Sequence, residues 1–142
     1  MKTNLLRMIT AMLILLFVYT AVAKLSNLST FESELMNQAV PKVWVPYLLW
    51  LIPLSEALVV LMLCTKKTRR TGFYGSALLM SVFTGYMGLV LLNAFERVPC
   101  SCGGVLKHMS FGVHFVFNLV LLLVSVTGIW MLKSGNADQQ TG

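Results

Sequence analysis

The side chains best placed to do chemistry are two thiols. Cys100 and Cys102 are separated by Ser101 within the stretch Pro99-Cys100-Ser101-Cys102-Gly103-Gly104. Such a pair can bond to itself, exchange with a disulfide elsewhere, or hold a soft metal. Bonding to itself would close a very small ring. A disulfide prefers a torsion near ~90°, which so tight a ring reaches only with backbone strain, and strained, exposed disulfides are the labile, oxidising ones. Pro99 fixes its own φ, and Gly103 and Gly104 accept positive φ, so the stretch suits a tight turn. The competing reading is a structural staple or two inert thiols, because reactivity depends on thiolate character and access.

Other groups could assist. His114 and Asn118 are four residues apart and share one face of a helix. An imidazole beside a thiol can lower its pKa or carry its proton. Glu56 lies inside an apolar run, three residues after Pro53. At ~1.5 Å per residue it is about 18 Å from Trp44, near the midplane of a ~30 Å hydrocarbon core. A carboxyl at that depth serves either function or a protonated or hydrogen-bonded lock between helices. Tyr19, Thr20 and Lys24 fall near the end of the first apolar run, and Asn93 near the end of the third. Cys100, Cys102, His108 and His114 could in number ligate zinc or copper. Their spacing matches no familiar structural zinc pattern, and no metal is expected.

These groups must be positioned by a membrane scaffold. The chain has 142 residues, 57% hydrophobic and only 11% charged, against about 25% charged in a soluble domain. The expected fold is an all-α four-helix transmembrane bundle over residues 5–132, with helices at about 5–24, 44–64, 73–95 and 110–132 and a polar, disordered tail at 133–142. Leu5 to Ala23, with its basic start and Ala21-Val22-Ala23, also resembles a cleavable secretory signal. Its apolar run exceeds the ~7–15 residues usual there, so it is read as a span. Trp44, Tyr47 and Trp50 form an aromatic belt. Phe31, Leu35 and Met36, with Glu32 and Glu34 between them, suggest either a short amphipathic helix on the outer surface or a plain connecting loop. Cys64 reads as an inert packing residue. Ala77, Ser81 and Gly85 recur every four residues, a stripe that would let another helix approach and could build an oligomer.

Charge sets the orientation. The net charge is +6, but the basic residues lie at span edges, so the partner implied is a bilayer and not nucleic acid. Lys66, Lys67, Arg69 and Arg70 cluster in one loop, which belongs in the cytoplasm. Both termini then lie inside, and Cys100 and Cys102 face an oxidising compartment, where disulfides persist. The expected location is the inner membrane of a bacterial cell.

The chain resembles the MauE/DoxX family of redox-associated four-helix membrane proteins, linked to methylamine utilisation. The resemblance rests on Tyr19, Lys24-Leu25 and Phe31, on Pro53-x-x-Glu56, on Cys100-Ser101-Cys102-Gly103-Gly104, and on His114 with Asn118. It implies assistance in maturing disulfide-containing extracytoplasmic proteins, with Cys100 and Cys102 as the redox pair. It also implies a thioredoxin-like or cysteine-rich partner and, as in quinone-linked relatives, a quinone as the candidate cofactor. Lys24 and Glu56 match the pattern without a role that the sequence explains. Disulfide-bond oxidases and vitamin K epoxide reductases, also four-helix bundles, typically use a second outside cysteine pair. Here Cys64 is the remaining cysteine, so electrons would have to pass directly to a client, a partner or a quinone. The alternative from another class is a non-catalytic assembly factor in which the two cysteines form a staple.

Overall fold

The structure, a computed structural model, describes residues 1–38, 40–92 and 111–140, with side chains of the last segment from 112 to 135. Among the described residues there are five α-helices and no strand: α1 (Lys2–Ser26), α2 (Leu28–Met36), α3 (Val45–Cys64), α4 (Arg69–Leu91) and α5 (Phe111–Gln140). A 3-10 turn, Lys42–Trp44, leads into α3. Each of α1, α3, α4 and α5 contains a segment long and apolar enough to cross a bilayer, with mean hydropathy from 1.4 to 2.3. The chain is an all-α, multi-pass membrane protein.

Local chemistry explains the breaks. α1 has no Gly or Pro in its interior, and it stops where Asn27 leaves helical geometry at φ −142° and ψ 68°. The same Asn27 caps α2: its Oδ1 accepts from the Thr30 amide at 3.4 Å and from Ser29 Oγ at 3.2 Å. A side-chain acceptor at this position satisfies an amide that has no partner within the helix. At the far end of α3, Thr65 turns extended. Two carbonyls in the last turn of α3 find side-chain donors across the bend: Thr68 Oγ1 reaches Met62 O at 3.0 Å, and Arg69 Nε reaches Leu63 O at 3.3 Å. Unmet carbonyls at a helix end are costly when shielded from water, so these bonds let α3 and α4 turn back on each other within a few residues.

The four long helices close a ring. α1 packs on α3, α3 on α4, α4 most extensively on α5, and α5 returns to α1. The core between them contains Leu13, Phe17, Leu63 and Phe73, all essentially inaccessible, together with Ile9, Val59, Met80 and Leu121. α2 lies against the first half of α3, burying Phe31 and Leu35 against Val45, Leu48, Leu49 and Ile52. Large apolar side chains such as Leu15, Leu54, Leu61, Leu78 and Trp130 cover the outside and are each more than half exposed. A water-facing surface does not carry so continuous an apolar coat, whereas lipid accepts it.

Several boundaries and faces depart from the sequence reading. α4 begins at Arg69, four residues before the expected 73. α5 continues through Gln140 into the stretch expected to be a disordered tail, as helix extension is cheap once a packed helix exists. α2 is a helix and not a loop, but its Glu34 is buried with Phe31 and Leu35, while Met36 is exposed. Cys64 is exposed and not packed; the 100° step from Leu63, which faces the core, turns it outward. The stripe expected to receive a helix also faces away from the core. Ser81 and Gly85 are exposed, and a Cβ at Gly85 would meet nothing.

Close approach occurs instead one helical step away. Ser76 of α4 and Ser125 of α5 are fully buried with their hydroxyls 2.9 Å apart. Ser125 also donates to Leu121 O at 3.0 Å, so Ser76 is the donor between the two. Nearby, Gly128 lies under the Phe73 ring, where an added Cβ would collide with Cε1. Lipid provides no hydrophobic drive for helices to associate, so such small residues and hydrogen bonds fix which faces meet.

Candidate functional site: a polar-lined cavity in the bundle

The helices bring six of the groups singled out in the sequence to one place. Tyr19, Thr20, Lys24, Glu56, His114 and Asn118 all line a cavity of about 290 Å³ between α1, α2, α3, α4 and α5. Its walls are otherwise mostly apolar, including Phe17, Ile52 and Phe83. The other three predicted residues, Asn93, Cys100 and Cys102, lie outside the described residues, as does His108.

The central contact joins α1 to α3. Lys24 Nζ donates to Glu56 Oε1 at 2.6 Å. Both side chains are largely enclosed, 12% exposed for Lys24 and 2% for Glu56. Helical side chains lean toward their own N-terminus, so Lys24, two residues before the end of α1, points back into the bundle and not out past its end. The Phe31 ring of α2 lies under the ammonium, with its centroid 5.9 Å from Nζ. This places the cation over the negative face of the ring. Lys24 and Glu56, which matched the family pattern without a role, are therefore one contact network with Phe31.

Opposite them, α5 contributes an unusually polar inner face. His114, Asn118, Leu121, Ser125 and Gly128 follow a helical repeat, and all are buried. This is the face expected from the spacing of His114 and Asn118. Two atoms in this region lack a hydrogen-bond partner among the described residues while fully shielded: Glu56 Oε2 and His114 Nδ1. An unmet buried polar atom costs roughly 1–3 kcal/mol.

Two cavity groups escaped the sequence reading. Tyr86 of α4 donates to Gln38 Oε1 at 2.8 Å, linking α4 to the chain just after α2. The signal available was a tyrosine inside a span, well away from an aromatic belt. Gln38 gave none, since a glutamine after a short helix is ordinary. Among the described residues, no three His, Cys, Asp or Glu side chains gather as a metal site would require.

The implied quinone can be tested against this lining. Its carbonyls accept hydrogen bonds and donate none. Lys24 and the Asn118 amide could serve such oxygens, whereas Glu56 Oε2 needs a donor that an oxidised quinone lacks.

A ring of apolar helices around an interior lysine–carboxylate pair defines the class: a small integral-membrane helical bundle with a polar site in its interior. Within that class the chain belongs to the MauE family. The family model described as Methylamine utilisation protein MauE matches residues 2–131. Comparison with curated proteins found no match, and comparison with solved structures found none.

Proposed function

We propose that this protein supports thiol–disulfide exchange on the extracytoplasmic face of a bacterial inner membrane, in the service of methylamine utilisation. The observation that carries the proposal is the position of Cys100-Ser101-Cys102 in the sequence. These residues fall in the connection between α4 and α5. The ends of those helices contribute Tyr86 and His114 to the cavity that also holds Lys24 and Glu56. The basic turn between α3 and α4 is at the other end of α4, which favours the cytoplasm for that end and the outside for the cysteines.

In such an exchange, a thiolate attacks one sulfur of a disulfide and forms a mixed disulfide, and the other sulfur leaves as thiolate. The second cysteine of the pair then attacks the mixed disulfide and releases the partner. Two electrons and two protons pass in total between the Cys100/Cys102 pair and the partner's pair. The partner that fits is a thioredoxin-like or cysteine-rich extracytoplasmic protein. His114, in the first turn of α5, could hold the proton as the thiolate forms.

Removing the resolving thiol should stall the intermediate. One of Cys100→Ser and Cys102→Ser is expected to trap a reductant-sensitive covalent complex with an extracytoplasmic protein, and the other is not. His114→Ala is expected to slow exchange without abolishing it. If neither single variant traps a complex and the double variant still supports client maturation, the exchange reading fails and a structural, non-catalytic role stands.

A further inference from the structure

We propose that the cavity is a binding site for a neutral, lipid-soluble hydroxyl compound about the size of two fused rings, whose hydroxyl donates to Glu56. The site does not depend on the thiol chemistry proposed above, because every residue invoked belongs to the described helices.

The ligand follows from the cavity in four steps. The first is size. The cavity, at about 290 Å³, is roughly twice the ~150 Å³ that accommodates a benzene ring in a protein interior. It is therefore large enough for a bicyclic skeleton and too small for a whole lipid. The second is polarity. The walls are mostly apolar, so the body of the ligand must be apolar too.

The third step is charge. Lys24 and Glu56 neutralise each other at 2.6 Å, so the site has no net charge to offset the desolvation of an ionic ligand. A neutral molecule is favoured over a cation or an anion. The fourth is hydrogen-bonding direction. Glu56 is fully buried and its Oε2 has no partner among the described residues. A carboxylate oxygen only accepts, so the ligand must donate. His114 is 8% exposed, and its Nδ1 is likewise unpartnered among the described residues. A hydroxyl both donates and accepts, so it can serve Glu56 and also suit either tautomer of this imidazole. An ether or a carbonyl cannot donate to Glu56.

The route in is also visible. Tyr19 and Val82 line the cavity and are 45% and 58% exposed. Both lie on membrane-spanning helices, so this rim opens toward lipid and favours a ligand that partitions into the bilayer.

The probe is 2-naphthol, measured by its own fluorescence with the protein in lipid nanodiscs and with empty nanodiscs as the partition control. The comparison compound is 2-methoxynaphthalene, which keeps the ring and the oxygen but loses the donor. Expected are saturable one-to-one binding of 2-naphthol and at least tenfold weaker binding of 2-methoxynaphthalene. Ala23→Phe, which adds a ring to the cavity wall from α1 and keeps Lys24, Glu56 and His114 as they are, is expected to abolish binding. Met87→Phe, a milder filling from α4, is expected to weaken it and serves as the test should the first variant fail to fold. Equal binding of the two compounds overturns the proposal, as does uptake no greater than that of empty nanodiscs, which would assign the unmet atoms to water. Unchanged binding in a folded filling variant overturns it as well.

Discussion

The Lys24 ammonium of α1 lies 2.6 Å from the Glu56 carboxylate of α3, across 32 positions of chain. Two charged groups that the bilayer would reject singly are thereby made tolerable as a pair. Coulomb attraction is strong in a low-dielectric interior, but so is the cost of removing each charge from water. The net value of such a pair is therefore smaller than the cost of breaking it.

That asymmetry gives the first prediction. Lys24→Met and Glu56→Leu should each lower stability by roughly 3–5 kcal/mol, since each leaves the opposite charge buried alone. The double variant should recover most of the loss. Glu56→Gln should cost less than Glu56→Leu, because the amide oxygen still accepts from Lys24. A double-mutant cycle by reversible unfolding in detergent measures the coupling, and additive losses would show that the pair is not an energetic unit.

A second prediction contrasts two glycines. Gly128→Ala drives a methyl into the Phe73 ring, and overpacking of this kind costs about 1–3 kcal/mol. Phe73→Leu should relieve part of the penalty in the double variant. Gly85→Ala should cost nothing, because no atom lies within reach of the added carbon. A loss of stability at Gly85 accompanied by loss of an oligomer on gel filtration would instead reveal that the exposed stripe is a contact between copies.

The third prediction concerns orientation. A membrane-impermeant thiol reagent applied to reduced spheroplasts should label Cys100 and Cys102 and spare Cys64. A permeant reagent should then reach Cys64, which is exposed in the structure. Labelling of Cys64 alone by the impermeant reagent would invert the topology and remove the oxidising compartment from the argument.

The sequence and the structure agree best where information is local. Four spans were legible from run length, and the inner face of α5 from the spacing of His114 and Asn118. Partnership between helices was not. Glu56 was expected to need a protonated state or a polar neighbour, but nothing local pointed to Lys24, because axial register between helices is written in three-dimensional packing and not in spacing. Which face of α4 packs inside the bundle was not legible for a related reason. Its sequence contains two interleaved four-residue rows, Gly72/Ser76/Met80/Thr84 and Ala77/Ser81/Gly85. One row is buried and the other is largely exposed. Both satisfy the small-residue rule at several positions, and the identity of the partner face decides between them. Glu34 shows the limit of polarity as a guide, since it is buried on the face of α2 that was expected to be purely apolar.

The lock between α1 and α3 has a further consequence. Apolar helices in lipid can slide along one another with little change in free energy, because lipid tails solvate any exposed leucine as well as a neighbouring helix does. One point contact of opposite charge removes that freedom, since a slip of one turn, ~5.4 Å, would strand both ions. Lys24 and Glu56 thus act as a depth gauge, setting how far α1 stands in the membrane relative to α3. The stable double variant should then lose alignment before it loses fold. Cysteine cross-links scanned between α1 and α3, in a background without native cysteines, should be sharp in the parent and spread over adjacent turns in Lys24→Met/Glu56→Leu.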